Sequence, residues 1–118
     1  MKKGRPAHLL AVLADHDRVE SLVRVVTAHT STLGVRRTVV TRDVLDRAWQ
    51  AVDVRGGSVR VKVGHRGGEI VKAMPEFADV VALAEDQQRP VADVLAAAQA
   101  ATVAGGLVPG APWPLPVP

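Results

Sequence analysis

The segment AWQAVDVRGGSVRVKVGH, residues 48–65, decides the fold, because its alternation and its central glycines predict a β-hairpin. Val59, Val61 and Val63 alternate with polar or basic residues, a pattern typical of a strand with one buried and one open face. Gly56–Gly57 is a two-residue turn signal, since glycine accepts the positive φ that such turns require.

The residues on either side of this hairpin predict an α+β fold. Downstream, Gly67–Gly68 leads into a third strand, EIVKA, and two helices follow, at about residues 76–85 and 90–103. Upstream, an amphipathic helix at about residues 17–30 lies between segments 8–14 and 35–42, which predict strands. We therefore expect a partial ferredoxin-like strand–helix–strand, then an antiparallel β-meander and two carboxy-terminal helices.

Length and composition limit the domain organisation. A chain of 118 residues suits one small domain, which we place at residues 1–104. The remainder, 105–118, is rich in glycine and proline, with five prolines after position 108, and is expected to be a disordered tail. The sequence has no run of about 18 apolar residues and no signal segment, so we expect a cytoplasmic protein without membrane contact.

The charge is distributed unevenly. Residues 1–72 contain 14 Lys and Arg against 7 Asp and Glu, whereas residues 73–118 contain 1 against 5. A basic front part suits a polyanionic ligand. The chain has no cysteine, which excludes disulfides, iron–sulfur clusters and cysteine nucleophiles. Isolated histidines and the absence of a nucleophile elbow, a GxGxxG loop and a P-loop argue against zinc, serine hydrolase and common nucleotide-fold chemistry.

The segment TSTLGVRR, residues 30–37, combines hydroxyls, a glycine and two arginines in a way that suits an anion. Further cations lie near the start of the chain and on the open face of the predicted hairpin. Lysine point charges and arginine forks fit a triphosphate. Nucleic acid would use the same charges, but single-strand readers add aromatic stacking platforms, and the only aromatic residues are Trp49, Phe77 and Trp113. This comparison favours a small nucleotide over a nucleic acid.

Three segments resemble the carboxy-terminal part of the LarC family of nickel-insertion proteins. They are MKKGRPAHLLAVL at residues 1–13, TSTLGVRR at 30–37 and VKVGHRGGEIVKAMPEF at 61–77. The resemblance runs from about Met1 to Ala100. It implies a CTP-dependent cyclometallase, a lyase-type enzyme that inserts nickel into pyridinium-3,5-bisthiocarboxylic acid mononucleotide to form the pincer cofactor of lactate racemase. It also implies that Mn²⁺ or Mg²⁺ accompanies CTP at this domain.

Within the three matching segments we assign roles by chemistry. Cations and a hydroxyl are expected to bind the nucleotide, and two carboxylates the divalent metal, because hard cations prefer carboxylate and phosphate oxygens. Surface or salt-bridge roles remain the alternative for these carboxylates. The predicted nucleotide-binding residues are Lys2, Lys3, Arg5, Thr32, Arg36 and Lys62, and the predicted metal ligands are Glu76 and Asp79.

The resemblance also carries expectations about partners. In the family, the basic turn at Lys2–Pro6 follows a strand, a helix and a strand, whereas this sequence begins at that turn. We therefore expect an amino-terminal part supplied as a separate chain, activity only together with it, and self-association into a homo-oligomer. Two alternatives stay open: a basic nucleic-acid-binding module, and a non-catalytic oligomerisation domain.

Overall fold

The computed structural model describes residues 2–117. In chain order its regular elements are helix α1, strands β1, β2 and β3, and helices α2 and α3. Short 3₁₀ turns at Lys2–Gly4 and His16–Arg18 precede α1. The bounds are Val19–His29 for α1, Asp46–Val54 for β1, Gly57–Arg66 for β2, Glu69–Pro75 for β3, Phe77–Asp86 for α2 and Val91–Ala104 for α3. The predicted α+β class, the meander and the two carboxy-terminal helices are confirmed.

The strands form one antiparallel sheet in the order β1–β2–β3. The turn at Gly56, with φ of 83°, sets the register of β1 against β2, so that Val54 lies opposite Gly57 and Val52 opposite Val59. The register between β2 and β3 shifts at Gly64/His65, where one strand bulges. This register decides which side chains share a face, because neighbouring residues along a strand point to opposite sides.

One face of the sheet packs against α2 and α3 and forms the hydrophobic core. Helix α2 supplies two buried residues and helix α3 two more, while the sheet supplies valines from β1 and β2 and one isoleucine from β3. Burial of these apolar side chains is the main stabilising term of this part of the chain. The buried apolar residues are Val52, Val54, Val59, Val61, Val63, Ile70, Val80, Ala84, Val94, Ala98 and Leu107.

The segment after α3 packs on the sheet, which differs from the expected disordered tail. Leu107 is only 2% exposed and belongs to the core. The backbone N–H of Gly110 donates to Ile70 O at 2.8 Å, and Ile70 N–H donates to Ala111 O at 2.8 Å. Trp113 N–H likewise donates to Gly68 O. Prolines cannot continue a helix, but they allow an extended segment whose remaining N–H groups pair with the edge of β3.

The chain divides into two compact units, one ending at Thr41 and the other beginning at Arg42. In the first unit, the predicted helix is present as α1, but segments 8–14 and 35–42 form no strands. A strand requires a hydrogen-bonding partner, and two strands alone are marginal in water. No residue from 3 to 45 is buried, and Val12, an apolar residue of segment 8–14, is 55% exposed. The first unit therefore has helical structure without a core of its own.

Candidate functional site

The first cluster of predicted nucleotide-binding residues is at the amino-terminal 3₁₀ turn. Lys3 has φ of 61°, and Gly4 follows with φ of 66°, so the chain bends sharply between two basic positions. Lys3 and Arg5 are both exposed. The side chain of Lys2 lies outside the described part of the structure. The turn thus presents cationic groups to solvent, as a phosphate-binding segment requires.

The segment TSTLGVRR forms the carboxy-terminal end of α1 and the bend that follows. Thr30 Oγ1 donates to Val26 O at 2.7 Å and accepts a hydrogen bond from the backbone N–H of Thr32 at 3.3 Å. Thr32 Oγ1 donates to Gly34 O at 2.8 Å. These bonds hold the bend locally. The Thr32 hydroxyl can still accept a hydrogen bond, because a hydroxyl has two lone pairs.

The two arginines of this segment have different surroundings. Arg37 Nη1 lies 2.7 Å from Glu20 Oε1 on α1, and this partner lowers the pKa of the Glu20 carboxyl. Arg36 is exposed and forms no salt bridge within residues 2–117. Of the pair, Arg36 is therefore the guanidinium whose charge is not already matched by a protein carboxylate.

Lys62 lies on the open face of β2, in the second unit. Its Nζ is 3.0 Å from Glu76 Oε2, the residue that precedes α2. The same oxygen accepts a long hydrogen bond from Trp49 Nε1 at 3.5 Å. The bond from Lys62, followed by that from Trp49, holds the pKa of Glu76 below its ordinary value. One carboxylate oxygen of Glu76 thus contacts both the ammonium group of Lys62 and the indole N–H of Trp49.

Arg60 and Asp79 form a two-pronged ion pair beside this group. Arg60 Nε and Nη2 lie 2.8 Å from Asp79 Oδ2 and Oδ1, respectively. The backbone N–H of Arg60 also donates to Asp79 Oδ2 at 3.0 Å. These bonds lower the pKa of Asp79 to about 2. Asp79 lies in the first turn of α2, so the pair connects the middle strand to that helix.

The two predicted metal ligands are therefore both paired with protein cations. Within residues 2–117 no group of three or more His, Asp or Glu side chains is arranged to hold a metal ion. The surroundings of Glu76 and Asp79 match the alternative role of salt-bridge partners. Metal binding by them stays a prediction, and it would require each carboxylate to exchange its lysine or arginine for the metal.

The open face of the sheet carries two rows of neighbouring side chains that were not predicted from the sequence. The pairing places Trp49, Lys62 and Met74 in one row across the three strands. The next row places Arg47, Gly64 and Lys72 side by side. The Gly56–Gly57 signal locates the hairpin but not its exact register: the turn residues are Arg55 and Gly56, and a turn at 56–57 would have paired Trp49 with Gly64 instead of Lys62. No sequence signal predicts the bulge that aligns β3 with β2.

The chain is similar in sequence to a described protein family and similar in fold to a solved structure. Residues 1–95 match the family described as "Nickel insertion protein". A protein of Nocardioides sp. called pyridinium-3,5-bisthiocarboxylic acid mononucleotide nickel insertion protein is 46% identical over 100 residues. Those residues are 85% of this chain but 25% of that protein. The chain thus spans about a quarter of the length of this curated relative.

A solved structure agrees with the sequence comparison. It is the apo form of LarC2, described as the C-terminal domain of a cyclometallase involved in the synthesis of the NPN cofactor of lactate racemase. The match has a TM-score of 0.79 at 35% identity and covers 87% of this chain and 71% of that one. Among residues 2–117, no helix has the length and apolar character needed to cross a membrane. The profile match and the structural match confirm the resemblance seen in the three segments: the chain belongs to the nickel insertion protein (LarC) family.

Proposed function

We propose that this chain is the carboxy-terminal, nucleotide-binding part of a CTP-dependent cyclometallase. The enzyme would insert nickel into pyridinium-3,5-bisthiocarboxylic acid mononucleotide, yielding the nickel-pincer cofactor of lactate racemase. The observation that carries the proposal is the likeness, at 35% identity and over 87% of this chain, to the C-terminal domain of a cyclometallase. Nickel is the inserted substrate in this proposal, not a resident metal of the domain.

The exposed cations of the first unit support binding of a triphosphate. Lys3, Arg5 and Arg36 carry three positive charges in segments that also match the family, and Thr32 adds a hydroxyl that can hydrogen-bond to phosphate or ribose. Charge-assisted bonds to phosphate are among the stronger polar contacts in proteins. In this role the guanidinium of Arg36 makes bidentate hydrogen bonds to the phosphates, whereas Lys3 acts as a point charge. Lys62, on β2, is the predicted cation of the second unit.

A divalent ion with CTP fits the described residues less well. The carboxylates proposed for it, Glu76 and Asp79, are engaged by Lys62 and Arg60. Mg²⁺ and similar ions commonly keep several waters and are held through substrate phosphates with one or two carboxylates. We therefore derive no step of the reaction from a protein-held metal. The part of this chain in the proposal is to bind and orient CTP.

We also propose that the chain acts together with the amino-terminal part found in the longer family members. The family relative is about four times as long as the matching region, and the first unit has no buried residue between positions 3 and 41. An added strand–helix–strand would cover the apolar side of α1 and give segments 8–14 and 35–42 the pairing that strands require.

Reconstitution tests the proposal. The chain is mixed with the amino-terminal part of the Nocardioides relative, the pyridinium mononucleotide, Ni²⁺, Mn²⁺ and CTP, and activation of apo lactate racemase is measured. We expect activation only when both polypeptides and CTP are present, with ATP a poor replacement. Activation by the amino-terminal part alone would contradict the proposal. Tight, salt-dependent binding of random oligonucleotides without nickel insertion would favour a nucleic-acid-binding module instead.

A further inference from the structure

The open face of the sheet carries an exposed tryptophan and an exposed methionine that do not belong to the hydrophobic core. Trp49 is 50% exposed and Met74 is 63% exposed, although both belong to strands of a well-packed sheet. They lie on either side of Lys62 in one row of cross-strand neighbours. Side chains directly opposite each other on one face are about 5 Å apart at Cβ, so the row forms a continuous surface. An exposed tryptophan with a fixed ring is suited to stacking on a flat ligand.

The orientation of the indole is set by its polar edge. Trp49 Nε1 points to Glu76 Oε2, which also receives the ammonium group of Lys62 at 3.0 Å. The polar edge of the ring is thus turned towards Glu76, and half of the side-chain surface stays open to solvent. Arg60 is held by both oxygens of Asp79 and does not compete for the ring. This long contact favours one orientation of the indole, and any such bias lowers the entropy cost of binding.

Two cationic side chains lie in the row of residues next to Trp49 and Met74. Arg47 on β1 and Lys72 on β3 flank Gly64, and the side chain of Leu45 packs over that glycine. Leu45 approaches that position, with its Cδ1 about 3.0 Å from where a Cβ of residue 64 would lie. Neither Arg47 nor Lys72 forms a salt bridge within residues 2–117. Their strands are about 10 Å apart, because each lies about 4.8 Å from β2.

We propose that this surface, formed by Arg47, Trp49, Lys72 and Met74, binds the pyridinium ring of an anionic pyridinium mononucleotide. The inference rests on the proposed function, because the substrate named there is a pyridinium mononucleotide with two acidic ring substituents. The positively charged ring is attracted to the face of an indole by a cation–π interaction. The acidic substituents and the phosphate pair with the two unmatched cations on either side. Charge complementarity thus accounts for the combination of one exposed tryptophan with flanking Arg and Lys.

Fluorescence of Trp49 tests this site in the full chain. The chain has two tryptophans, so Trp113→Phe leaves Trp49 as the only indole. Nicotinic acid mononucleotide serves as the probe, since it combines a pyridinium ring, a ring carboxylate and a phosphate. We expect saturable quenching by this probe and at least about tenfold weaker binding of nicotinamide mononucleotide, which lacks the carboxylate. Ribose 5-phosphate, which has no pyridinium ring, should give no quenching.

Matched variants separate this surface from general attraction of anions. Arg47→Ala and Lys72→Ala should each raise the Kd for the probe about fivefold to tenfold, and Lys72→Arg should restore most of the affinity. Arg55→Ala is the control, because Arg55 lies in the β1–β2 turn, about 26 Å along the strand from Arg47. Thermal unfolding of each variant verifies that it is folded. Equal effects of all three alanine variants would overturn the proposed surface.

Other outcomes would overturn the inference in distinguishable ways. Absence of saturable quenching while CTP still stabilises the chain would mean that the pyridinium surface is wrong and the proposed function survives. Quenching without any CTP effect or nickel insertion would support the surface and contradict the proposed function. Stronger quenching by single-stranded oligonucleotides than by the mononucleotide, weakening steeply with salt, would assign the same face to nucleic acid instead.

Discussion

Asp79 accepts three hydrogen bonds from a single residue, Arg60: two from the guanidinium and one from the backbone N–H. The two residues are 19 positions apart and belong to α2 and β2, so the pair fixes the start of the helix against the middle strand. The pairing of β2 with β3 ends at Val61–Pro75, so the backbone N–H of Arg60 has no acceptor on β3 and donates to Asp79 instead. The pair therefore has a structural role that needs no ligand.

The Arg60–Asp79 pair predicts a specific acid dependence. The pKa of Asp79 is lowered from 3.8 to about 2, so the folded state binds this proton more weakly than the unfolded state. The stabilising contribution is then complete above about pH 5 and is lost as the pH falls towards 2. Asp79→Asn should lower the Tm by a few degrees at pH 7 and change it much less near pH 2, where most of the contribution is lost. Asp86→Asn, at the exposed end of α2, is the control and should change the Tm little at either pH.

Nucleotide binding predicts selective stabilisation against heat. CTP with Mn²⁺ should raise the Tm more than ATP, GTP or Mn²⁺ alone, since a ligand that binds only the folded state adds about 2.7 kcal/mol at a hundredfold excess over its Kd. Differential scanning fluorimetry at matched ionic strength measures this. Equal shifts with every triphosphate would indicate unspecific attraction of polyanions, and no shift at all would favour an assembly domain.

The arginines of the basic part should not contribute equally to nucleotide binding. Arg36→Ala is expected to raise the Kd for CTP about tenfold, because its guanidinium forms no salt bridge within residues 2–117 and can bind phosphate in a bidentate manner. Arg37→Ala is a close control in sequence, since Arg37 is already paired with Glu20 at 2.7 Å. Isothermal titration calorimetry gives both values. Equal losses in the two variants would mean that binding depends on total charge and not on a site at Arg36.

The uncovered side of the first unit predicts association. Leu22, Val23 and Val26 on α1 are only half-buried, and Val12 is exposed. Each aliphatic side chain that becomes fully buried contributes about 1.5–3 kcal/mol, so a partner that covers this side is favoured. Sedimentation at low micromolar concentration should show self-association, or a complex when the amino-terminal part is added. Val26→Ser should weaken the self-association or the complex, whereas Val117→Ser, at a position that is 92% exposed, should change neither. A chain that stays monomeric and does not bind the amino-terminal part would falsify this idea.

The packed tail predicts a loss of stability on truncation. Leu107 is 2% exposed and sits in the core, so Leu107→Ala should reduce the free energy of unfolding by about 2–4 kcal/mol. Val103→Ala, at an exposed position on α3, should cost much less. Urea unfolding followed by circular dichroism measures both. A chain ending at residue 104 that is as stable as the full chain would show that residues 105–117 do not support the sheet.

The sequence by itself determined the elements whose signals are local. Alternating valines and the glycines at 56 and 57 locate the hairpin, because strand period and turn φ depend on neighbouring residues only. The turn itself is one residue earlier than expected, at Arg55–Gly56, and Gly57 already belongs to β2. Pro90 correctly marked the start of α3, which begins at the next residue, Val91, whereas Pro75, expected to open α2, is the last residue of β3. Three short segments were enough to indicate the family.

Only the tertiary structure decided features that depend on partners distant along the chain. The tail composition suggested disorder, yet Leu107 finds a place in the core and Gly110 and Trp113 find N–H acceptors beside β3. Segments 8–14 and 35–42 have strand-like patterns but no partner strand within the described residues, and a pattern cannot supply one. The carboxylates suggested for a metal are paired with Arg60 and Lys62, because the register and the start of α2 bring them together. The row of Trp49, Lys62 and Met74 exists only after three strands align, one of them past a bulge that no local residue signal marks.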